Sequence, residues 1–188
     1  MQHRLAVAAL VASSVLACAS DPVRPENEHA ESNRFEVFTQ NVYVGTDVDA
    51  VLGAPPEELE SRLFAALATF AGTNWQARAE AIAARIATLK PAVVALNEVS
   101  TLTVVGLAPV FPDVNVEFLP SLQAALAARG ASYVTAGSVE NIDVTLQLGG
   151  PSIRLRDADA ILVRSDLVHG GTTTGTYAAM VSVPLGPL

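Results

Sequence analysis

Two polar side chains stand late in the two most strand-like runs of this chain. Asn41 comes near the end of Phe35-Glu36-Val37-Phe38-Thr39-Gln40-Asn41-Val42-Tyr43, and Glu98 near the end of Pro91-Ala92-Val93-Val94-Ala95-Leu96-Asn97-Glu98-Val99. Ligands of open α/β sheets gather beyond the carboxyl ends of the strands. A carboxylate following four apolar residues is costly to bury unless it is paired or holds a metal. Oxygen donors of this kind suit Mg²⁺, which takes one or two carboxylates and keeps waters and substrate oxygens in its other positions. Taken singly, an asparagine at a strand end ordinarily serves as a turn or cap, and a glutamate there as a solvated edge residue. Asp47 and Asp49 sit in the turn after the first run, and Asp143 and Asp159 in later strand-like segments. Each has a plainer reading as a solvated turn or strand residue. His169, beside Gly170 and Gly171, reads as a loop residue, and Trp75 as a packing anchor.

The elements that would position these groups follow from periodicity. Phe35 to Tyr43 predicts a strand with Phe35, Val37 and Thr39 on one side. Pro55-Pro56 followed by Glu57, Glu58 and Glu60 predicts a helix start, since proline and acids suit the first turn. Leu59, Leu63, Leu67 and Phe70 form its apolar face, and Gly72 its end. Thr73 or Asn74 caps a second helix, whose stripe is Ala79, Ile82, Ile86 and Leu89, with Arg78 and Arg85 outside. Pro91 ends it. Ala92 to Val99 reads as a strand buried on both faces, followed by a loop rich in proline and valine. Leu122 to Arg129 reads as a short helix stopped by Gly130. Tyr133-Val134, Val144 to Leu146, Ile153 to Leu155, Ala158 to Arg164 and Tyr177 to Val183 read as strands, with a turn at Gly149-Gly150-Pro151. Helices outside a mixed sheet, an α/β or α+β fold, fit that order.

Export is read from the amino terminus. Gln2-His3-Arg4 precedes an apolar run from Leu5 to Leu16. That run falls short of the ~20 residues needed to span a bilayer and matches the apolar core of a signal peptide. Val15-Leu16-Ala17-Cys18 resembles a bacterial lipobox, with Cys18 as the site of lipid attachment and hence of a membrane anchor. Cys18 is the only cysteine, so an internal disulfide is excluded. Residues 18–34 are polar, hold Pro22 and Pro25, and read as a flexible tether. The expected organisation is a signal peptide over 1–17, the tether over 18–34 and one domain over 35–188. Nineteen acidic against eleven basic residues give a formal charge of −8. No broad basic face for nucleic acid is expected, although a bound metal can still supply positive charge locally to a phosphorylated substrate.

The pattern resembles the endonuclease/exonuclease/phosphatase superfamily. The resemblance rests on Thr39-Gln40-Asn41-Val42-Tyr43 at the end of the first strand, and on Arg78 in a helix ahead of Ala92-Val93-Val94-Ala95-Leu96-Asn97-Glu98-Val99. Asp157-Ala158-Asp159-Ala160-Ile161-Leu162-Val163-Arg164 resembles the family's middle strand. Ala92 stands where the family usually has aspartate, and Asn97 where it has glutamine. The resemblance spans about Phe35 to Val183. It implies a four-layer α/β sandwich of two stacked mixed sheets with outer helices, of which this chain would be the amino-terminal half. It also implies Mg²⁺ or Mn²⁺ bound by Glu98, with Asn41 steadying the metal or orienting a phosphate oxygen, and Asn97, Asp47 and Asp159 in an outer shell. The implied reaction is hydrolysis of a phosphoric ester by an activated water. Its substrate would be a small phosphoester, a phospholipid head group or extracellular nucleic acid. The family's later Asn-Thr-His-Leu, Gly-Asp-x-Asn and Ser-Asp-His motifs do not occur here. On its own the chain is therefore expected to be inactive and poorly stable. The alternative is a non-catalytic surface lipoprotein that keeps part of the fold for binding.

Overall fold

A computed structural model describes residues 35–176. The expected signal segment, the tether with Cys18, and the expected strand at 177–183 lie outside them. Within them the chain is a mixed α/β domain with one six-stranded mixed sheet and four helices.

The first strand, β1, spans Val37–Asn41 and alternates its burial. Of its two sides, the one with Phe35 and Val37 is exposed, and Phe38 on the other is buried. Period-two spacing reveals that a strand has two faces, but only the packing partner decides which one is covered. A short helix, α1, spans Asp49–Leu52. Helix α2, Pro56–Gly72, has proline in its first turn and buries Leu63, Leu67 and Phe70, as its spacing predicts. Helix α3, Trp75–Leu89, begins at Asn74, whose side chain accepts a hydrogen bond from the Ala77 amide at 3.2 Å. It buries Trp75, Ala79, Ala83 and Ile86, while Leu89 is half exposed. Arg78, expected outside, is tucked against Trp75, with consequences described below.

Lys90 ends α3 with φ +50°, donating its amide to the Ile86 carbonyl at 2.8 Å. A side chain in this left-handed conformation costs free energy that glycine avoids. Lys90→Gly is therefore expected to stabilise the domain by about 1 kcal/mol. A urea midpoint that falls, or stays level, would contradict this.

Strand β2, Val93–Asn97, follows and pairs in parallel with β1 in register from Val37 opposite Val93 to Asn41 opposite Asn97. Both strands therefore end side by side. Contrary to expectation, β2 buries only alternate residues, Val94 and Leu96. The segment expected as a loop contains two further strands, β3 (Thr101–Val105) and β4 (Val114–Glu117), paired antiparallel. Helix α4 spans Phe118–Ala127 and so starts earlier than predicted. The scattered strand signals beyond it merge into one long hairpin, β5 (Tyr133–Gln147) and β6 (Ser152–Arg164).

Strand β6 organises the sheet. One of its edges carries β5 along its whole length. The other carries β2 at 160–163 and β3 at 152–156, so β2 and β3 lie end to end. A single buried cluster joins alternate residues of β1, β2 and β3 to the helices. Across the sheet Val37, Val93, Val163 and Val134 are laterally paired in one row, and Val37 and Val134 at its ends are 54% and 42% exposed. Among the described residues no helix is long and apolar enough to cross a membrane.

Candidate metal site

The parallel register of β1 and β2 brings Asn41 and Glu98 together across 57 positions of sequence. Asn41 Nδ2 donates to Glu98 Oε1 at 2.6 Å. The other carboxylate oxygen, Oε2, accepts the amide of Val44 at 2.9 Å. Asn41 is itself fixed, because its Oδ1 accepts the Tyr43 amide at 2.7 Å in a turn closed by its own side chain. A carboxylate offers about four lone-pair positions. Two are taken by these donors, which leaves room for a cation on a group whose orientation is already set.

A bulge aims Glu98. Between the pairs Leu96–Ala160 and Thr101–Arg156, residues 97–100 on one strand face only residues 157–159 on the other. The extra residue is accommodated with Glu98 at φ +59°. Bulges re-aim side chains in this way, and left-handed conformations in larger residues store strain that the surrounding structure must hold. Tyr43, at φ +61°, is the second such residue beside the site. The Val99 amide bonds to the Ala158 carbonyl, and the fully buried Ser100 donates its hydroxyl to Asp157 Oδ1 at 2.7 Å. These bonds close the bulge.

Arg78 holds the opposite wall. Its Nη1 donates to the carbonyls of Val42 and Tyr43, the latter at 2.8 Å, and its Nε to that of Thr73 at 3.2 Å. The guanidinium carbon lies 5.1 Å from the Trp75 ring centre and 5.7 Å from those of Tyr43 and Phe118. Burial pushes its pKa below the ordinary value, against the pull of Tyr43. Arginine nonetheless keeps its charge in proteins. Gly45 permits this contact: at φ +105°, a Cβ there would come within 2.7 Å of Thr73 Oγ1 and 3.3 Å of Arg78 Nη2. An arginine read from sequence as a solvated helix face thus fixes the turn that supplies the Val44 amide.

The resulting cleft, about 390 Å³, is lined by four carboxylates, those of Asp47, Asp49, Glu98 and Asp157, and by no basic residue. That field favours a cation. Asp47 also accepts the Ala50 amide at 3.2 Å. Asp157 was missed from sequence as a site residue, although it stands two residues from Asp159; it lines the cleft and accepts the Ser100 hydroxyl. Asn97 and Asp159 bond to each other at 3.1 Å and not to Glu98. Asp143 lies elsewhere, with its two oxygens on Arg154 at 2.8 and 2.5 Å, and that arginine lowers its pKa. His169 is exposed and does not line the cleft. Trp75 is 5% exposed in the core, as expected of an anchor.

Among the described residues no three histidine, cysteine, aspartate or glutamate side chains already converge as a metal cage. Glu98 with waters and substrate oxygens would be a sparse site of the kind Mg²⁺ accepts. No family model, curated protein or solved structure matches the chain.

Proposed function

We propose that this cleft is the metal-holding part of a site that hydrolyses phosphoric esters. The observation that carries the reading is the Asn41–Glu98–Val44 arrangement: a carboxylate at paired strand ends, oriented by two donors and left with free lone pairs. Glu98 would hold Mg²⁺ or Mn²⁺, with Asn41 steadying it and Asp47, Asp49 and Asp157 attracting the cation. The bound ion would polarise a phosphoryl oxygen and offset charge on the leaving oxygen. This chain's own part is to orient the carboxylate and keep the cleft negative enough to load the ion.

The exposed ends of the valine row on the outer sheet face support the finer reading of a four-layer sandwich, in which a second sheet covers that face. Residues 1–34 would export the domain and tether it to a membrane by lipid on Cys18. No histidine among the described residues lines the cleft to accept a proton from water, so this chain alone is expected to turn over little phosphoester. Binding without turnover is the second reading.

Calorimetric titration with Mn²⁺ tests the site. Glu98→Gln preserves shape and removes charge, and is expected to weaken binding at least about tenfold; Asn41→Ala should cost about 10–100-fold. Equal Mn²⁺ affinity in wild type and Glu98→Gln would sink the assignment.

A further inference from the structure

Behind the acidic cleft lies a second, smaller space with opposite chemistry. Helix α2 walls it through Leu63 and Leu67, α1 through Leu52, and the sheet through Leu102, Leu146 and Ile153. Thr46 is the one lining residue with a polar side chain. Its free volume is about 60 Å³. Water needs two to four polar partners to settle in a cavity, so an apolar cavity of this kind stays dry and takes apolar guests. An apolar cavity of about 150 Å³ takes benzene, so this space holds about two or three carbons.

The two spaces are continuous. Val44, Thr46, Val48 and Leu155 line both the apolar pocket and the carboxylate cleft. Val44 also donates its amide to Glu98. A group held at Glu98 therefore lies against the mouth of the pocket. An occupant that fills both must be amphiphilic, with an oxygen-rich end at the carboxylates and a hydrocarbon end behind them.

We propose that the pocket binds a short linear aliphatic chain of about two or three carbons, and that the molecule acted on is a phosphoester carrying such a chain. The pocket assignment stands on the cavity alone; its joining to a phosphoester rests on the metal-site reading above. A polar or sugar-bearing ester would leave its hydroxyls facing leucine and valine without partners, which is costly. The pocket therefore selects against a plain nucleotide.

The experiment uses two ligand series with the full chain, both kept below micelle-forming concentrations. One is the n-alkanols from methanol to octanol; the other is the matching n-alkyl phosphates with Mg²⁺. In both, affinity is expected to rise about fourfold per methylene, then level off at about three carbons. Ala66→Phe, which projects a ring from α2 into the space, should abolish the chain-length dependence while far-UV circular dichroism shows the fold retained. Leu52→Ala enlarges the space and should move the levelling point to longer chains, a gain that a merely damaged protein would not show. Glu98→Gln should leave the alkanol series untouched and weaken the phosphates. Affinity independent of chain length, or a chain-length dependence unchanged in Ala66→Phe, overturns the pocket. Alkanols and alkyl phosphates of equal affinity in Mg²⁺ overturn the joining to a phosphoester and leave the pocket standing.

Discussion

Replacing Arg78 with alanine is expected to cost about 3 kcal/mol of unfolding free energy and, in the same protein, to weaken metal binding at Glu98. The guanidinium serves three backbone carbonyls, those of Val42, Tyr43 and Thr73, and fills the space between Trp75, Tyr43 and Phe118. Without it those carbonyls lose their donor in a partly buried setting, and each such loss ordinarily costs about 1–3 kcal/mol before water moves in. The turn at 42–44 is then free to shift, and with it the Val44 amide that fixes Glu98 Oε2. Arg78→Lys keeps the charge but not the planar fork or the stacking, so it should recover less than half of the loss. Urea denaturation with Mn²⁺ titration on the same preparations is the measurement. A cost under about 1 kcal/mol would mean the arginine is only a surface contact. A full cost with unchanged metal affinity would separate it from the site.

Phe118→Ala should be the more damaging change to the fold itself, at about 3–5 kcal/mol. Phe118 is fully buried. It stacks on Trp75 with ring centres 3.9 Å apart and planes 7° from parallel, and lies 6.3 Å from the Phe70 ring. One residue thus ties α4 to α2 and α3, and its amide reaches the Ser100 carbonyl at 3.0 Å, beside the bulge. Trp75 would gain access to water, so its emission should shift to the red as the urea midpoint falls. Phe118→Leu, which keeps most of the volume, should cost about 1–2 kcal/mol. Equal effects of alanine and leucine would argue that stacking, not volume, holds this part of the core.

Helices α2 and α3 were legible in the sequence because their signals are local, whereas the one-turn α1 was not read and α4 begins before its predicted start. Pro56, Glu57 and Glu58 mark the start of α2, and the spacing of Leu63, Leu67 and Phe70 marks the face it buries. The cap at Asn74 and the stop before Pro91 come from the chemistry of single residues. The hairpin turn at 149–151 was legible for the same reason. Strands β3 and β4 were not, because both are short and the Gly106, Pro109 and Pro112 between them made the whole segment read as loop.

The candidate site divides along the same line. Asn41 and Glu98 were legible as residues, since polar groups ending apolar strands stand out locally. That they meet at 2.6 Å depends on the parallel pairing of β1 with β2, which joins segments more than fifty residues apart. The direction of Glu98 depends on one surplus residue opposite 157–159, a matter of count between two strands that neither strand contains. Asp157 and not Asp159 lines the cleft, and Asn97 is paired with Asp159. Arg78 shows the converse. Its helical position marked it as solvent-facing, yet α4 closes over it with Phe118, and the turn after β1 supplies carbonyls for it. The sequence by itself determined where the two long helices lie and which side chains bear charge, because propensity, capping and proline act within a few residues. Tertiary structure decided which face of β1 is covered, where Glu98 points and what Arg78 holds, because register and packing are set by the partner across the sheet.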